Sequence, residues 1–499
     1  MNHDILQLLF MLKWFKSIVK KYFLLYFPYV VVFTGSLFNP SDSDLGWHLK
    51  YGEYFFKTGQ ILRENIYSTM MPGYHWVNSS WATDLITYAT FSRFGFMGLS
   101  VLGALTVTAI FFFFSKAAKL TFFEQAVLFP LLLFYEEPLT AVSFRGQLLS
   151  LLFIGILYYL LSKYEQGKIT LLFLAVPVFC LWSNLHGQFI LGLGLFLGWI
   201  ILYLVAHRFP RKEVQFLFLI FTSSALASLI NPFGFGIYQE ALRHFGNPWQ
   251  QFIIEWLPFD RFSNLWWRLI FWDILVFFSL GVLYWKKQLT SNLPYFGLTV
   301  FLIILSFWMR RYTWPMLLVS IPLVKVSIQL FTPKWKSVAF TLASIMFIFF
   351  YGFFIFIQNP KISIQTMSWE RYCKESAYCS PKSAEFIIKN KLTDNLLTFY
   401  NWGGWLIWNY YPQIKPSIDG RMHLWEEHGY SAFAEYYPIE QNFIDVDLSR
   451  YDVVYITPKK PLFKRMAQLI KEGTWDTVYF DDFAAVFIRK QKATQKLAL

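Results

Sequence analysis

From Tyr22 onward the chain is written as a series of apolar runs of roughly 17 to 20 residues, separated by polar segments of which most are short. Each run is long enough to cross a bilayer as a helix, and nothing constrains the fold more. The runs fall near 22–38, 96–114, 122–139, 146–162, 169–184, 188–206, 213–230, 267–285, 294–309, 312–330 and 338–357. Of 499 residues, 56% are hydrophobic and only 15% charged, well short of the charge a soluble protein carries. Disordered, collagen-like and small disulfide-scaffold classes are excluded, and a polytopic α-helical membrane protein of about eleven spans is expected.

The net charge of +13 does not indicate nucleic acid, because Lys and Arg punctuate the apolar runs instead of gathering on one polar domain. Alternation of the spans places Lys116, Lys119, Lys163, Lys168, Arg208, Arg211, Lys212, Lys286, Lys287, Lys334 and Lys336 in short loops on one side, the positive-inside pattern of a plasma membrane protein. The stretch Met1 to Lys21, with Lys13, Lys16, Lys20 and Lys21 among Leu, Phe and Trp, predicts a cytoplasmic amphipathic helix ahead of a retained first span. On this topology Asp42, Asp44, His48, Arg145, His186, the loop Asn231 to Arg261 and Arg310-Arg311 all face the extracytoplasmic side.

Beyond residue 358 charges return and the apolar runs shorten. The expected domains are a membrane domain, 1–358, with its first extracytoplasmic loop at 39–95, and an extracytoplasmic α/β domain, 359–499. The second contains a helix at Pro381 to Lys391, strands at Asn395 to Tyr400, Lys415 to Ile418, Tyr451 to Thr457, Val478 to Tyr479 and Ala484 to Arg489, and a helix at Pro461 to Glu472. Of three cysteines, Cys180 lies in an apolar run, which leaves Cys373 and Cys379 as the plausible pair.

The first loop carries the densest chemistry. Leu49, Tyr51, Tyr54 and Phe55 share one helical face, so Trp47 to Lys57 predicts a helix lying along the membrane, with Asp42 and Asp44 just ahead of it. Acids at this place either cap the helix or act as a general base toward an acceptor hydroxyl. Glu255 is a further acid on the same face. With Asp42 and Asp44 it supplies oxygen ligands of the kind Mg or Mn takes, although no spacing specifies a cation.

Asp44, followed by Trp47 and His48 and then by Thr58-Gly59, resembles the first loop of the GT-C superfamily of membrane glycosyltransferases. That superfamily includes protein O-mannosyltransferases, lipid A aminoarabinose transferases and the oligosaccharyltransferase catalytic subunit. The strings Asp44-x-x-Trp47-His48-Leu49, Trp182-x-Asn184-x-His186-Gly187, Asn231-Pro232-Phe233-Gly234 and Asp419-Gly420-Arg421 are similar to a group of prokaryotic membrane proteins of poorly defined activity. The GT-C resemblance implies a sugar donor carried on polyprenyl phosphate, an extracytoplasmic acceptor and inversion at the sugar. It places the catalytic carboxylate at Asp44, with Asp42 second, while Leu45 stands where related members have Glu.

By the same resemblance the donor phosphate would lie against basic residues of the outer face, and Arg145, Arg310 and Arg311 are the candidates. Snorkelling or pairing with Glu136, Glu137 or Glu255 is their structural alternative. His186, in a turn between spans, is either a donor or proton-handling group or a locally bonded imidazole. His48 is a further candidate. Trp402 and Trp405 are expected to pack the tail on the membrane face, and Asp419 with Arg421 to anchor a turn. A transporter or lipid flippase, or a non-catalytic envelope scaffold, is the alternative to an enzyme; no internal repeat of the transporter kind is visible.

Overall fold

The structure is a computed structural model that describes residues 22–209, 211–243, 247–356, 367–442 and 447–490. The helix expected over Met1 to Lys21 lies outside the described residues. All the apolar runs are helical: α1 (Tyr22–Gly35), α3 (Trp81–Ala118), α4 (Phe122–Thr140), α5 (Gly146–Glu165), α6 (Ala175–Leu185), α7 (Phe189–Ala206), α8 (Arg211–Ala227), α10 (Asn264–Trp285), α11 (Leu293–Trp308), α12 (Thr313–Val319) with α13 (Ile321–Phe331), and α14 (Lys336–Phe356). Two short helices, α2 (Leu45–Thr58) and α9 (Gly236–Arg243), lie in the loops.

Six of these helices among the described residues are long and apolar enough to span a bilayer, and the bent pair Arg310–Val319 and Ile321–Phe331, inclined at 54°, makes a seventh if taken as one broken span. The expected count of about eleven is not reached on length and apolarity. The helix α1, the stretch Ile169–Leu185 and α8 are short, and α4 carries Glu124, Glu136 and Glu137. A helical membrane architecture accommodates all of them, since short helices can pack inside a bundle without each reaching both interfaces.

Helix ends follow local chemistry. Thr121 and Glu124 form a reciprocal capping box on α4, and the Ser263 hydroxyl caps α10 by accepting from the Trp266 N–H. The helix α3 begins at Trp81, earlier than the expected span, and breaks at Gly95, whose φ of 60° and ψ of −153° leave the helical region. Its first segment therefore belongs to the loop and its second to the bundle.

The tail holds helices Pro381–Lys389, Gly403–Tyr410, Ala432–Glu440 and Pro461–Lys471 around strands β1 (Leu396–Thr398), β2 (Glu426–Glu427), β3 (Tyr430–Ser431), β4 (Val453–Ile456), β5 (Trp475–Phe480) and β6 (Ala485–Arg489). The main sheet has the order β1-β4-β6-β5, with β1 parallel to β4 and the other pairs antiparallel. Leu396 stands opposite Val453 and Val454 opposite Phe487. The strand expected at Lys415 to Ile418 is absent: Ser417 and Thr398 bond through their hydroxyls, while the Pro416 and Ser417 carbonyls accept from the Thr69 and Met70 N–H groups of the first loop. Cys373 and Cys379 are joined in a disulfide.

Two large apolar cores form among the described residues, beside a small cluster of Trp256, Met309 and Leu424. One is the helix bundle, centred on Phe129, Trp182, Trp199, Trp272 and Leu318. The other joins Trp47, Tyr51, Trp76 and Phe96 of the first-loop region to Trp402, Trp405, Trp425 and Tyr455 of the tail. Trp402 and Trp405 are therefore buried in this shared core and not spread on a membrane face, which corrects the expectation for them. The first loop folds with the tail.

Candidate functional site

The site forms where the first loop, the tail and the ends of the bundle helices meet. Backbones approach unusually closely there, and glycines permit it. A Cβ at Gly46 would overlap the Gly404 carbonyl, one at Gly404 would lie 2.6 Å from the Ser43 carbonyl, and one at Gly420 would overlap the Asp44 carboxylate. The segment Ser43 to Gly46 is thus clamped between the first residues of the helix Gly403–Tyr410 and the Asp419-Gly420-Arg421 turn.

That second turn is held by a buried two-pronged ion pair, with Arg421 Nε 2.7 Å from Asp419 Oδ1 and Nη2 2.7 Å from Oδ2. Ser68 of the first loop donates to the same carboxylate, and the guanidinium lies over the rings of Tyr67, Trp76 and Trp425. Burial would raise the Asp419 carboxyl, but the Arg421 guanidinium outweighs it and holds the group below the usual carboxylate range. The expected turn-anchoring role of this pair is what the geometry displays.

Asp44 precedes α2, but its backbone is already helical, with φ −85° and ψ −11°, and its side chain makes no capping hydrogen bond. Capping does not account for it. The carboxylate is half-buried beside Gly420, and burial with the neighbouring Asp42 charge pushes it up to about 6 while His48 and Arg145 pull the other way. A carboxylate with this value is ionised at neutral pH yet basic enough to take a proton.

Asp42 is differently engaged. Its Oδ1 accepts from the Asp44 N–H at 3.1 Å, its Oδ2 lies 3.1 Å from Arg145 Nε, and its carbonyl accepts from the Tyr372 hydroxyl. Arg145 also reaches Glu255, Nη1 to Oε1 at 2.6 Å. The Arg145 charge, acting with Arg311 against burial, holds the Glu255 carboxyl below its ordinary range. A line of alternating charges runs from Asp42 through Arg145 to Glu255.

His48 packs on Trp47 and sets its Nδ1 2.5 Å from Oδ1 of the buried Asp84, whose Oδ2 accepts from Asn78 Nδ2 at 2.6 Å. Asp84 and Asn78 escaped the sequence reading. The available signal was an acid one turn inside the helix that leads into a span.

A cavity of about 330 Å³ opens next to this cluster, lined by Ser79, His186, Gln188, Glu240, Trp256 and Arg311 at its polar end. Its other end is apolar, with Leu191 and Gly194 of α7 and Phe301 and Leu305 of α11; Gly194 and Phe301 are exposed on the outer surface of the bundle. The Gln188 Nε2 is buried without a hydrogen-bond partner among the described residues. His186 bonds locally through Nδ1 to Ser150 at 2.7 Å, and burial with the Arg311 and Arg145 charges pushes it down to about 3, so the imidazole is neutral.

The three arginines separate clearly. Arg145 is consumed by Asp42 and Glu255. Arg310 donates to the Leu257 and Pro258 carbonyls and lies over Phe259, outside the cavity lining. Arg311 lies over the Trp256 ring, 5.0 Å from its centroid, and has no ion pair among the described residues while lining the cavity. Of the residues expected to act, the fold brings together Asp42, Asp44, His48, Arg145, His186, Glu255 and Arg311, and sets Arg310 aside.

Among the described residues no group of three or more His, Cys, Asp or Glu side chains is arranged to hold a metal ion. Asp42 and Glu255 both pair with Arg145 instead. Compared with known proteins, the chain matches no family model and no curated sequence.

Proposed function

We propose that this chain is an integral membrane glycosyltransferase that moves a sugar from a polyprenyl-phosphate donor to an acceptor hydroxyl on the extracytoplasmic side, with Asp44 as general base. The observations that carry the proposal are an uncapped, half-buried carboxylate, Asp44, and a cavity, lined by other residues, that holds Arg311, Gln188 and Glu240 at its polar end and is apolar at the other. The apolar end, between α7 and α11, suits an isoprenoid tail entering sideways from lipid. The polar end suits phosphate: the Arg311 guanidinium and the Gln188 amide are donors with open positions.

In the reaction, Asp44 takes the acceptor hydroxyl proton as the acceptor oxygen bonds to the anomeric carbon. The bond from that carbon to the phosphate oxygen breaks, and its electron pair leaves with the polyprenyl phosphate, whose charge Arg311 stabilises. Attack opposite the leaving group inverts the anomeric centre. Arg145, fixed between Asp42 and Glu255, offsets part of the negative charge that these carboxylates would set against the phosphate.

The test is binding and turnover of radiolabelled polyprenyl-phosphate sugars by the purified protein in lipid nanodiscs, parent against Asp44→Asn. Transfer that disappears in the variant while donor binding persists supports the enzyme. Absence of both binding and transfer across a broad donor panel, with the protein folded, removes the proposal in favour of a scaffold. Donor movement between leaflets without cleavage would make the cavity a flippase path.

A further inference from the structure

His48 stands one helical turn after Asp44, so the two side chains share a face of α2 with Cβ atoms about 5–6 Å apart. Its orientation is fixed from outside that helix. Asp84 on α3 takes Nδ1, Asn78 takes the second oxygen of Asp84, and the Trp47 ring stacks on the imidazole with centroids 3.6 Å apart. Asp84 is fully buried, and its nearest strong compensations are His48 and the Asn78 amide. A buried carboxylate tied in this way is expensive unless it faces a positive charge.

We infer that the imidazolium of His48, held by Asp84 and Asn78, is a positioning cation that keeps the Asp44 carboxylate ionised until the acceptor hydroxyl arrives. This rests on the reading of Asp44 as the base. The second fixed cation near Asp44, Arg145, is already shared by Asp42 and Glu255. Removing His48 would leave Asp44 facing the Asp42 charge with only that shared guanidinium to offset it.

The electrostatic surroundings of His48 support the assignment. Asp42 and Asp44 face it from its own loop, Asp84 from α3 and His186 from the turn after α6, the last neutral, while Arg145, which precedes α5, acts on Asp44. Burial holds the Asp84 carboxyl above its ordinary value against the pull of His48, the Asn78 amide and, from the tail, the Arg421 guanidinium. Burial opposes charging the imidazole, but Asp84, with Asp42 and Asp44, outweighs it and holds His48 above its ordinary value.

Infrared difference spectra of the full chain in nanodiscs, recorded over a pH series, would follow protonation of Asp44 through the carboxyl band that Asp44→Asn lacks. The expected midpoint lies near 6 in the parent, and His48→Gln raises it by about one unit, a tenfold tighter hold on the proton. His48→Lys, which restores the charge, brings the midpoint back. If His48→Gln does not fold, Asp84→Asn raises the Asp44 midpoint in the same direction by freeing the imidazole to lose its proton. Coincident midpoints in parent and variant, or a rise that lysine does not reverse, overturn the inference. In the same proteins the acidic limb of kcat/KM moves with the infrared midpoint, whereas a merely structural loss lowers the rate equally at every pH. A parent inactive toward all donors sinks the glycosyltransferase reading alone, since the infrared midpoints still decide the role of His48.

Discussion

Arg310 and Arg311 are adjacent in sequence and identical in chemistry, yet only one faces the cavity. Arg310 satisfies its guanidinium on backbone carbonyls of the loop before α10, while Arg311 keeps its donors toward the cavity and rests on Trp256. A hydrogen bond to a charged group contributes about 1.5–3 kcal/mol, or roughly ten- to hundredfold in affinity. Arg311→Gln is therefore expected to raise the donor Kd by at least about tenfold. Arg310→Gln should leave it near the parent value, and equilibrium binding of labelled donor to both variants checks the contrast. Equal effects would mean that the pair acts through the loop and not through the phosphate. The motif Arg-Arg was readable in the sequence; which member has open donors was not, because the carbonyls that occupy Arg310 lie more than fifty residues away.

At the scale of elements, the approach of α2 to the helix Gly403–Tyr410 decides where Asp44 sits. Neither glycine of the Gly403-Gly404 pair is needed for a turn of positive φ; what matters is the missing Cβ. Gly404→Ala forces its methyl against the Ser43 carbonyl, which is backbone and cannot rotate away, and overpacking of this kind costs about 1–3 kcal/mol. The expected result is a lowered thermal midpoint together with a fall in turnover larger than the stability loss explains, measured by thermal unfolding in nanodiscs and by transfer assays. Unchanged turnover at lowered stability would show that the Asp44 position tolerates the shift. The helices themselves were legible from their apolar runs, as was the amphipathic α2. The false strand at Lys415 to Ile418 was not, since an extended segment gives the same local pattern whether its polar groups meet a sheet or, as here, the first loop.

For the molecule as a whole, the contact between first loop and tail rests on the Asp419–Arg421 pair and on the shared aromatic core. Breaking a buried ion pair from one side leaves the other charge uncompensated and costs about 3–5 kcal/mol. Asp419→Asn is thus expected to loosen the first loop, seen as faster protease cleavage within residues 39–80 of folded protein. Because the folded Asp419 is held below its unfolded value of about 3.9, its stabilising contribution is present above that pH and is lost only as the pH falls through the folded value. Protection of the loop should accordingly persist at pH 5 in the parent. Loss of protection near pH 5 would argue that another group controls the contact.

The sequence by itself determined the helical membrane architecture, the return to a mixed α/β tail and the presence of polar groups around Asp44, His48, His186 and Arg311. Those properties follow from local patterns: apolar run length, charge spacing and helical periodicity act over a few turns of chain. Only the tertiary structure decided that the first loop shares a core with the tail, that Asp84 and Asn78 fix His48, and that one of three arginines keeps open donors at an apolar cavity. Each of these depends on which distant carbonyl or carboxylate reaches a group first. Hydrogen-bond and ion-pair energies are set by distances of a few ångströms between segments tens to hundreds of residues apart, and no local pattern records those distances.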